Sequence, residues 1–209
     1  MKKLFVAIRR GNNDEVKAIL TNKPKLLSCT AKQPPKKDDG QSLLQISLKT
    51  GNFEIAEYLL DMGADVNFIE KESCNEWLAP VLHDAIRALI FNCQTMEKDA
   101  DKFDRVYKIF NKMLTLGADP NAVDSYGNTC LGRAIMDAKQ MIDHPFFEGK
   151  SSWAGEGLDD IGRDLALTQI RSVFQALIDA GADINSSNSQ RESAVYDIKN
   201  SRLESFDLF

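Results

Sequence analysis

The sequence predicts an all-α protein, a solenoid of stacked helix-turn-helix units joined by hairpin turns. One observation is the pentapeptide Gly-Ala-Asp-x-Asn, which begins at Gly63, Gly117 and Gly181 and each time follows a stretch rich in Leu or Ile. The other is the spacing of apolar residues at intervals of three and four, which places them on one side of each helix. A unit of two helices cannot bury its apolar face alone, so the units must stack on one another.

Residues 39–67 contain the most complete unit. Asp39-Gly40 is a turn signal, and Ser42 is placed to cap the first helix through its hydroxyl. Gly51 and Gly63 lie where the two helices end, because glycine adopts the left-handed conformation there at least cost. This unit resembles an ankyrin repeat, with Ser-Leu-Leu-Gln at residues 42–45 in the place of the family's Thr-Pro-Leu-His.

The resemblance extends over nearly the whole chain as about five repeats and implies a single domain, residues 1–209. We expect an amino-terminal cap at 1–27, repeats at 38–67, 74–121 and 124–185, and a carboxy-terminal cap at 188–209. Residues 28–38, with Pro34-Pro35 and three lysines, predict an extended mobile finger or a plain solvated loop. The Asn that ends each pentapeptide is expected to stabilise the turn.

Two repeats carry long insertions between their helices. From the motif leucine to the terminal glycine the separation is 19 residues at Leu44, 35 at Leu82 and 50 at Leu131. The first insertion keeps a helical composition and should lengthen both helices of its repeat. The hairpin before that repeat is also long, which predicts a protruding tip at Glu76 and Trp77.

The second insertion contains residues 141–160, where Pro and Gly interrupt any helix, and the next helix should run from about Gly162 to Ala180. Phe146, Phe147 and Trp153 lie in this segment. They are expected either to contact a partner or to pack the loop onto the stack.

Composition limits the partners and the compartment. The net charge of −5 and the pI near 5.2 argue against a nucleic-acid partner and permit a basic protein partner. The four cysteines have neither a zinc spacing nor a dense disulfide pattern, which is typical of reduced intracellular thiols. No signal-peptide core or membrane-spanning run is present in the sequence, so we expect a cytoplasmic protein without membrane association.

The sequence offers little for catalysis. His83 stands where the family's histidine makes hydrogen bonds within the hairpin, which predicts a structural role. His144 lies near Asp143 and Glu148, which could in principle form a metal or acid–base cluster, but no ligand spacing supports one. No serine-hydrolase elbow, phosphate loop or dinucleotide fingerprint occurs. We therefore expect no enzymatic activity, no metal and no cofactor.

The resemblance implies a protein–protein interaction module, because ankyrin stacks serve as binding scaffolds whose contact surface is formed by hairpin tips and the ends of the first helices. Carried over to matching positions, with the inserted loop added, the candidate contact residues are Arg9, Arg10, Gln41, Lys49, Glu76, Trp77, Arg87, Tyr126, Asn128, Met136, Asp137, Phe146, Phe147 and Trp153. A monomer that binds one protein partner is expected. The alternatives are an immunity-type inhibitor of a basic toxin or enzyme, a bacterial effector acting on a host protein, and, as a third class, an enzyme.

Overall fold

The computed structural model describes residues 1–93, 100–150 and 157–209. Within these ranges there are nine α-helices: the first eight form four successive pairs, and the ninth is followed by a short 3₁₀ helix, Arg202–Phe206. The helices are α1 (Lys2–Arg9), α2 (Asn13–Asn22), α3 (Leu43–Lys49), α4 (Phe53–Asp61), α5 (Val81–Ile90), α6 (Ala100–Thr115), α7 (Cys130–Ile142), α8 (Asp160–Asp179) and α9 (Ala194–Lys199). The first helices of successive pairs contact one another, as do the second helices α2, α4, α6 and α8. The predicted all-α repeat solenoid is confirmed.

The three predicted terminators end α4, α6 and α8. Gly63, Gly117 and Gly181 have φ angles of +83°, +88° and +96°, a region that side chains other than glycine's disfavour. The alanine after each glycine donates its N–H to a carbonyl five residues earlier, as from Ala64 to Leu59 at 2.9 Å. These bonds satisfy carbonyl groups that have no partner inside the helix.

The start of α3 confirms the predicted cap at Ser42. The Ser42 hydroxyl accepts a hydrogen bond from the Gln45 N–H at 3.2 Å, and the Gln45 side chain accepts one from the Ser42 N–H at 3.1 Å. This reciprocal capping box fixes the direction in which the hairpin enters the helix.

The core consists of two apolar clusters, and helix α3 contributes to both because it is covered on two sides. In α3, Leu43 and Ile46 pack with the apolar residues of α1 and α2, whereas Leu44 and Leu48 pack with those of the following pair. All four are at most 2% exposed. A helix covered on two sides has little room for polar residues, which explains why six of the seven residues of α3 are buried.

The insertions lengthen helices, as predicted. The pair α5 and α6 has 10 and 16 residues, against 7 and 9 in α3 and α4. Helix α8 begins at Asp160, two residues before the predicted start, because the Asp159 side chain caps it by accepting the Gly162 N–H at 2.7 Å.

Of the two alternatives for Phe146 and Phe147, the structure shows packing onto the stack, so neither ring is exposed to a partner as the first alternative required. They are only 7% and 3% exposed, and the Phe147 ring meets the edge of Phe206 at 6.3 Å. The Leu158 N–H also donates to the Phe146 carbonyl at 2.8 Å, which ties the two sides of the inserted segment together. Burial of the two rings against the core accounts for this placement. Trp153 lies outside the described residues.

The segment at 28–38 is also less extended than predicted. Ala31 donates its N–H to the Gln41 carbonyl at 2.8 Å and accepts from the Gly40 N–H at 2.9 Å, so the segment forms one side of a hairpin. Its end is held to α1 by the Arg9 guanidinium, which donates to Asp38 at 2.5 Å. In the described part of the chain, no helix is both long and apolar enough to cross a membrane.

Candidate functional site

A groove of 810 Å³ lies between the hairpins and the first helices in the middle of the stack. We call it the central groove. Its lining comes from the hairpins before α3 and α5 and from residues of α3, α5 and α7. Its polar and aromatic lining includes Lys37, Gln41, Lys49, Glu70, Trp77, Asp84, Arg87, Phe91 and Arg133.

The exposed charges of the central groove are positive. Lys37, Lys49 and Arg87 are all exposed, and Arg87 keeps 48% of its side chain accessible. The Arg87 guanidinium lies 5.1 Å from the centre of the Phe91 ring and 3.5 Å from the buried carboxylate of Asp137. Contacts on both sides therefore position this cation while leaving it accessible.

The acids of the central groove are bound to amides, and Glu70 is buried whereas Asp84 is half-buried. Glu70 is 2% exposed, and its Oε1 accepts from the side-chain amides of Gln41 at 3.0 Å and Gln45 at 3.1 Å. The Gln45 amide also donates to Asp84 Oδ2 at 2.9 Å. Burial raises the pKa of Glu70 and raises the pKa of Asp84 to about 7, because a covered carboxylate loses hydration. With a pKa of about 7, Asp84 is partly protonated at pH 7.

Trp77 does not protrude as the sequence suggested. Its Nε1–H donates to Asp124 Oδ2 at 2.7 Å, and its ring meets the Tyr126 ring edge-on at 5.9 Å. The Ser125 hydroxyl donates to the Glu76 carbonyl at 2.6 Å, which joins the same two hairpins again. A buried carboxylate needs donors, and the indole supplies one, so the tip folds against the next hairpin. Trp77 remains 38% exposed towards the central groove.

Arg133 is a site residue that the sequence reasoning missed. It is 5% exposed, its Nε–H donates to Asp137 Oδ2 at 2.9 Å, and a second guanidinium N–H donates to Asp137 Oδ1. Its other side lies 5.0 Å from the centre of the Trp77 ring. The spacing of four residues between Arg133 and Asp137 on a helix is a signal that could have pointed to this pair.

The predicted contact residues divide into several groups. Four line the central groove: Gln41, Lys49, Trp77 and Arg87. Glu76, Tyr126 and Asn128 belong to the hairpins beside it, Met136 is 40% exposed on α7, and Arg9 and Arg10 lie at the end of α1. The expectation of exposure is wrong for Gln41, Asn128 and Asp137, because each is buried by the internal hydrogen bonds that it makes. Whether any of the candidates contacts a partner remains a prediction.

The two histidines lie in structural positions. His83 is 2% exposed, neither ring nitrogen makes a hydrogen bond with the described residues, and Nδ1 is 3.9 Å from Asp124 Oδ2. The hydrogen bonds predicted for this ring are therefore not formed. Burial lowers its pKa to about 4, so the ring is neutral at pH 7.

The cluster considered around His144 is occupied by local contacts. His144 Nδ1 accepts the Phe146 N–H at 3.2 Å, and Glu148 binds Lys150 and Arg202, each at 2.6 Å. Among residues 1–93, 100–150 and 157–209, no group of three or more His, Cys, Asp or Glu side chains could hold a metal ion.

The sequence was compared with curated proteins and with models of protein families. A search of curated proteins gave no match to the chain. Residues 39–71, which include α3, α4 and the start of the next hairpin, match the sequence model of the ankyrin repeat. Ankyrin repeats are in general protein–protein interaction modules and are typically non-enzymatic. The matched segment is similar to an ankyrin repeat, and further helix pairs of the chain stack on both sides of it.

Proposed function

We propose that this protein is a non-enzymatic ankyrin-type module that binds a protein partner through the central groove. The observation that carries the proposal is the exposure of Trp77 and Arg87 in the lining of one 810 Å³ groove. Trp and Arg are the residue types that most often supply binding energy at protein interfaces. A groove between hairpins and helices also matches the surface that the resemblance implied.

The central groove has anchors that are already positioned. Trp77 is fixed by its hydrogen bond to Asp124, and Arg87 is held between Phe91 and Asp137. Side chains ordered before binding lose less conformational entropy when a partner arrives. The internal bonds therefore favour binding, although they use some of the polar atoms that a partner could otherwise contact.

Affinity capture from a lysate of the source organism tests the proposal. The wild-type chain is compared with a groove variant, Lys49→Ala/Arg87→Ala, and with a control, Lys25→Ala/Lys108→Ala, which removes two exposed lysines elsewhere. We expect the wild type and the control to retain a protein that the groove variant loses. Thermal unfolding checks that all three chains are folded, and Trp153→Ala tests the inserted loop separately. Equal retention by all three chains would refute binding through the central groove.

A second candidate is an inhibitor of a basic toxin or enzyme, which the net charge of −5 favours. The exposed cations of the central groove do not favour a basic ligand there, so such a partner would use another face. A basic protein that the groove variant still retains would support this second function over the first.

A further inference from the structure

We infer that the central groove takes an acidic segment of its protein partner, a stretch of chain that carries Asp or Glu carboxylates beside an apolar side chain. This inference rests on the proposed function and names the chemistry of the partner. Three features of the groove carry it: the placement of its cations, the covering of its acids, and the apolar surface between them.

The exposed charges of the central groove are positive, whereas the net charge of the whole chain is negative. The chain has 31 acidic and 26 basic residues, so an average patch of its surface is negative. Within the central groove, Lys37, Lys49 and Arg87 are all exposed. Arg87 presents a planar guanidinium, whose paired N–H groups match the two oxygens of a carboxylate.

The acids near these cations cannot offset them fully. Glu70 is 2% exposed and is covered by the amides of Gln41 and Gln45. Asp137 is 0% exposed, with Arg133 bound to it and Arg87 3.5 Å away. Asp84, the other acid of the lining, is half-buried and accepts a hydrogen bond from the Gln45 amide at 2.9 Å. An incoming cation would therefore meet exposed lysine and arginine but no fully exposed carboxylate of the lining, whereas an incoming carboxylate would meet complementary charge.

The surface between the cations accepts an apolar side chain. Trp77 is 38% exposed, and the half-buried Ala88 and Phe91 lie along the same groove. A ligand that combines carboxylates with one apolar residue would use both parts of this lining. Nucleic acid fits less well, because a polyphosphate would bring many charges towards three exposed cations on a chain of net charge −5.

Selection from a displayed library of random twelve-residue peptides tests the inference. The full chain is used as the wild type, as the groove variant Lys37→Gln/Arg87→Gln, and as the control Lys25→Gln/Lys108→Gln, which has the same net charge as the groove variant. We expect peptides selected on the wild type to be enriched in Asp and Glu. These peptides should bind the control and the wild type with equal affinity. They should bind the groove variant about tenfold more weakly. Their affinity should also fall with added salt, because the contacts are charged and accessible.

The other results separate this inference from the proposed function. Selected peptides that lose affinity for the groove variant but show no enrichment in acidic residues would overturn the acidic ligand and leave the groove as the binding surface. Peptides that bind the groove variant and the control equally, or a selection that yields none, would overturn both. An oligonucleotide bound more tightly than any peptide, and lost in the groove variant, would overturn the choice of a protein ligand. The single variant Arg87→Gln replaces the double one if the latter unfolds.

Discussion

The asparagines that end the first two terminators, Asn67 and Asn121, connect neighbouring repeats, and Asn121 allows this contribution to be measured. Its Oδ1 accepts the Asp183 N–H at 2.8 Å, and its Nδ2 donates to the Gly181 carbonyl at 2.9 Å. Each such bond contributes a net 0.5–1.5 kcal/mol on typical values, towards the low end where water can replace it. Because the site is exposed, Asn121→Ala should lower the free energy of unfolding by about 1–2 kcal/mol.

The matched control is Asn185→Ala, at the same place in the next terminator. In the described part of the chain the Asn185 side chain has no equivalent bonds, since only its backbone N–H pairs, with Asp183. For a chain of this size, the loss at Asn121 corresponds to a fall in Tm of about 3–6 °C, whereas Asn185→Ala should stay within about 0.5 kcal/mol of wild type. Circular dichroism during thermal and urea unfolding measures both. Equal effects of the two changes would refute the reasoning.

Three further changes test other parts of the structure. Trp77→Phe removes the indole donor to a buried carboxylate and should lower the free energy of unfolding by about 1–3 kcal/mol. Urea unfolding measures this, and an unchanged midpoint would show that the bond does not stabilise the fold. Gly117→Ala should cost about 1–2 kcal/mol through its positive φ alone, because an added Cβ meets nothing within 4 Å; Gly132→Ala, inside α7, should be neutral or slightly stabilising. The pKa of Asp84 is about 7 in the folded chain against an ordinary value of 3.8, so between these pH values the folded chain binds this proton more strongly than the unfolded chain. The free energy of unfolding therefore falls as the pH rises from about 4 to about 7. Asp84→Asn should therefore raise the urea midpoint at pH 8 relative to pH 5, compared with wild type, and an unchanged pH profile would contradict this.

Local signals in the sequence were sufficient for the helices and their ends. The terminators at Gly63, Gly117 and Gly181 and the capping box at Ser42 depend on residues within one turn of each other, so the sequence contains all the information they need. The lengthening of α6 followed in the same way from a run without Gly or Pro.

The candidate site was harder to predict because its contacts join residues far apart in the chain. Trp77 and Asp124 are 47 residues apart, and Gln45 reaches Asp84 across 39. Only the stack determines that these side chains meet. Phe146 and Phe147 show the same limit, since an apolar ring in a loop can bind a partner or pack inward, and here the core buries both.

Net charge illustrates how a property of the whole chain can mislead about one site. The value of −5 favoured a basic partner, whereas the exposed charges of the central groove favour an acidic one. The net charge and the charges of the groove act at different stages of binding, because screening at physiological salt limits the range of an exposed charge to about 8 Å. On the proposal made above, the overall charge would act on a ligand during approach, and Lys37, Lys49 and Arg87 would act on it at contact. An acidic ligand would be repelled on approach and held after binding, so added salt should raise its association rate and its dissociation rate together. A basic ligand held outside the groove would instead associate more slowly as salt is added, which makes the two kinds of partner distinguishable by kinetics alone.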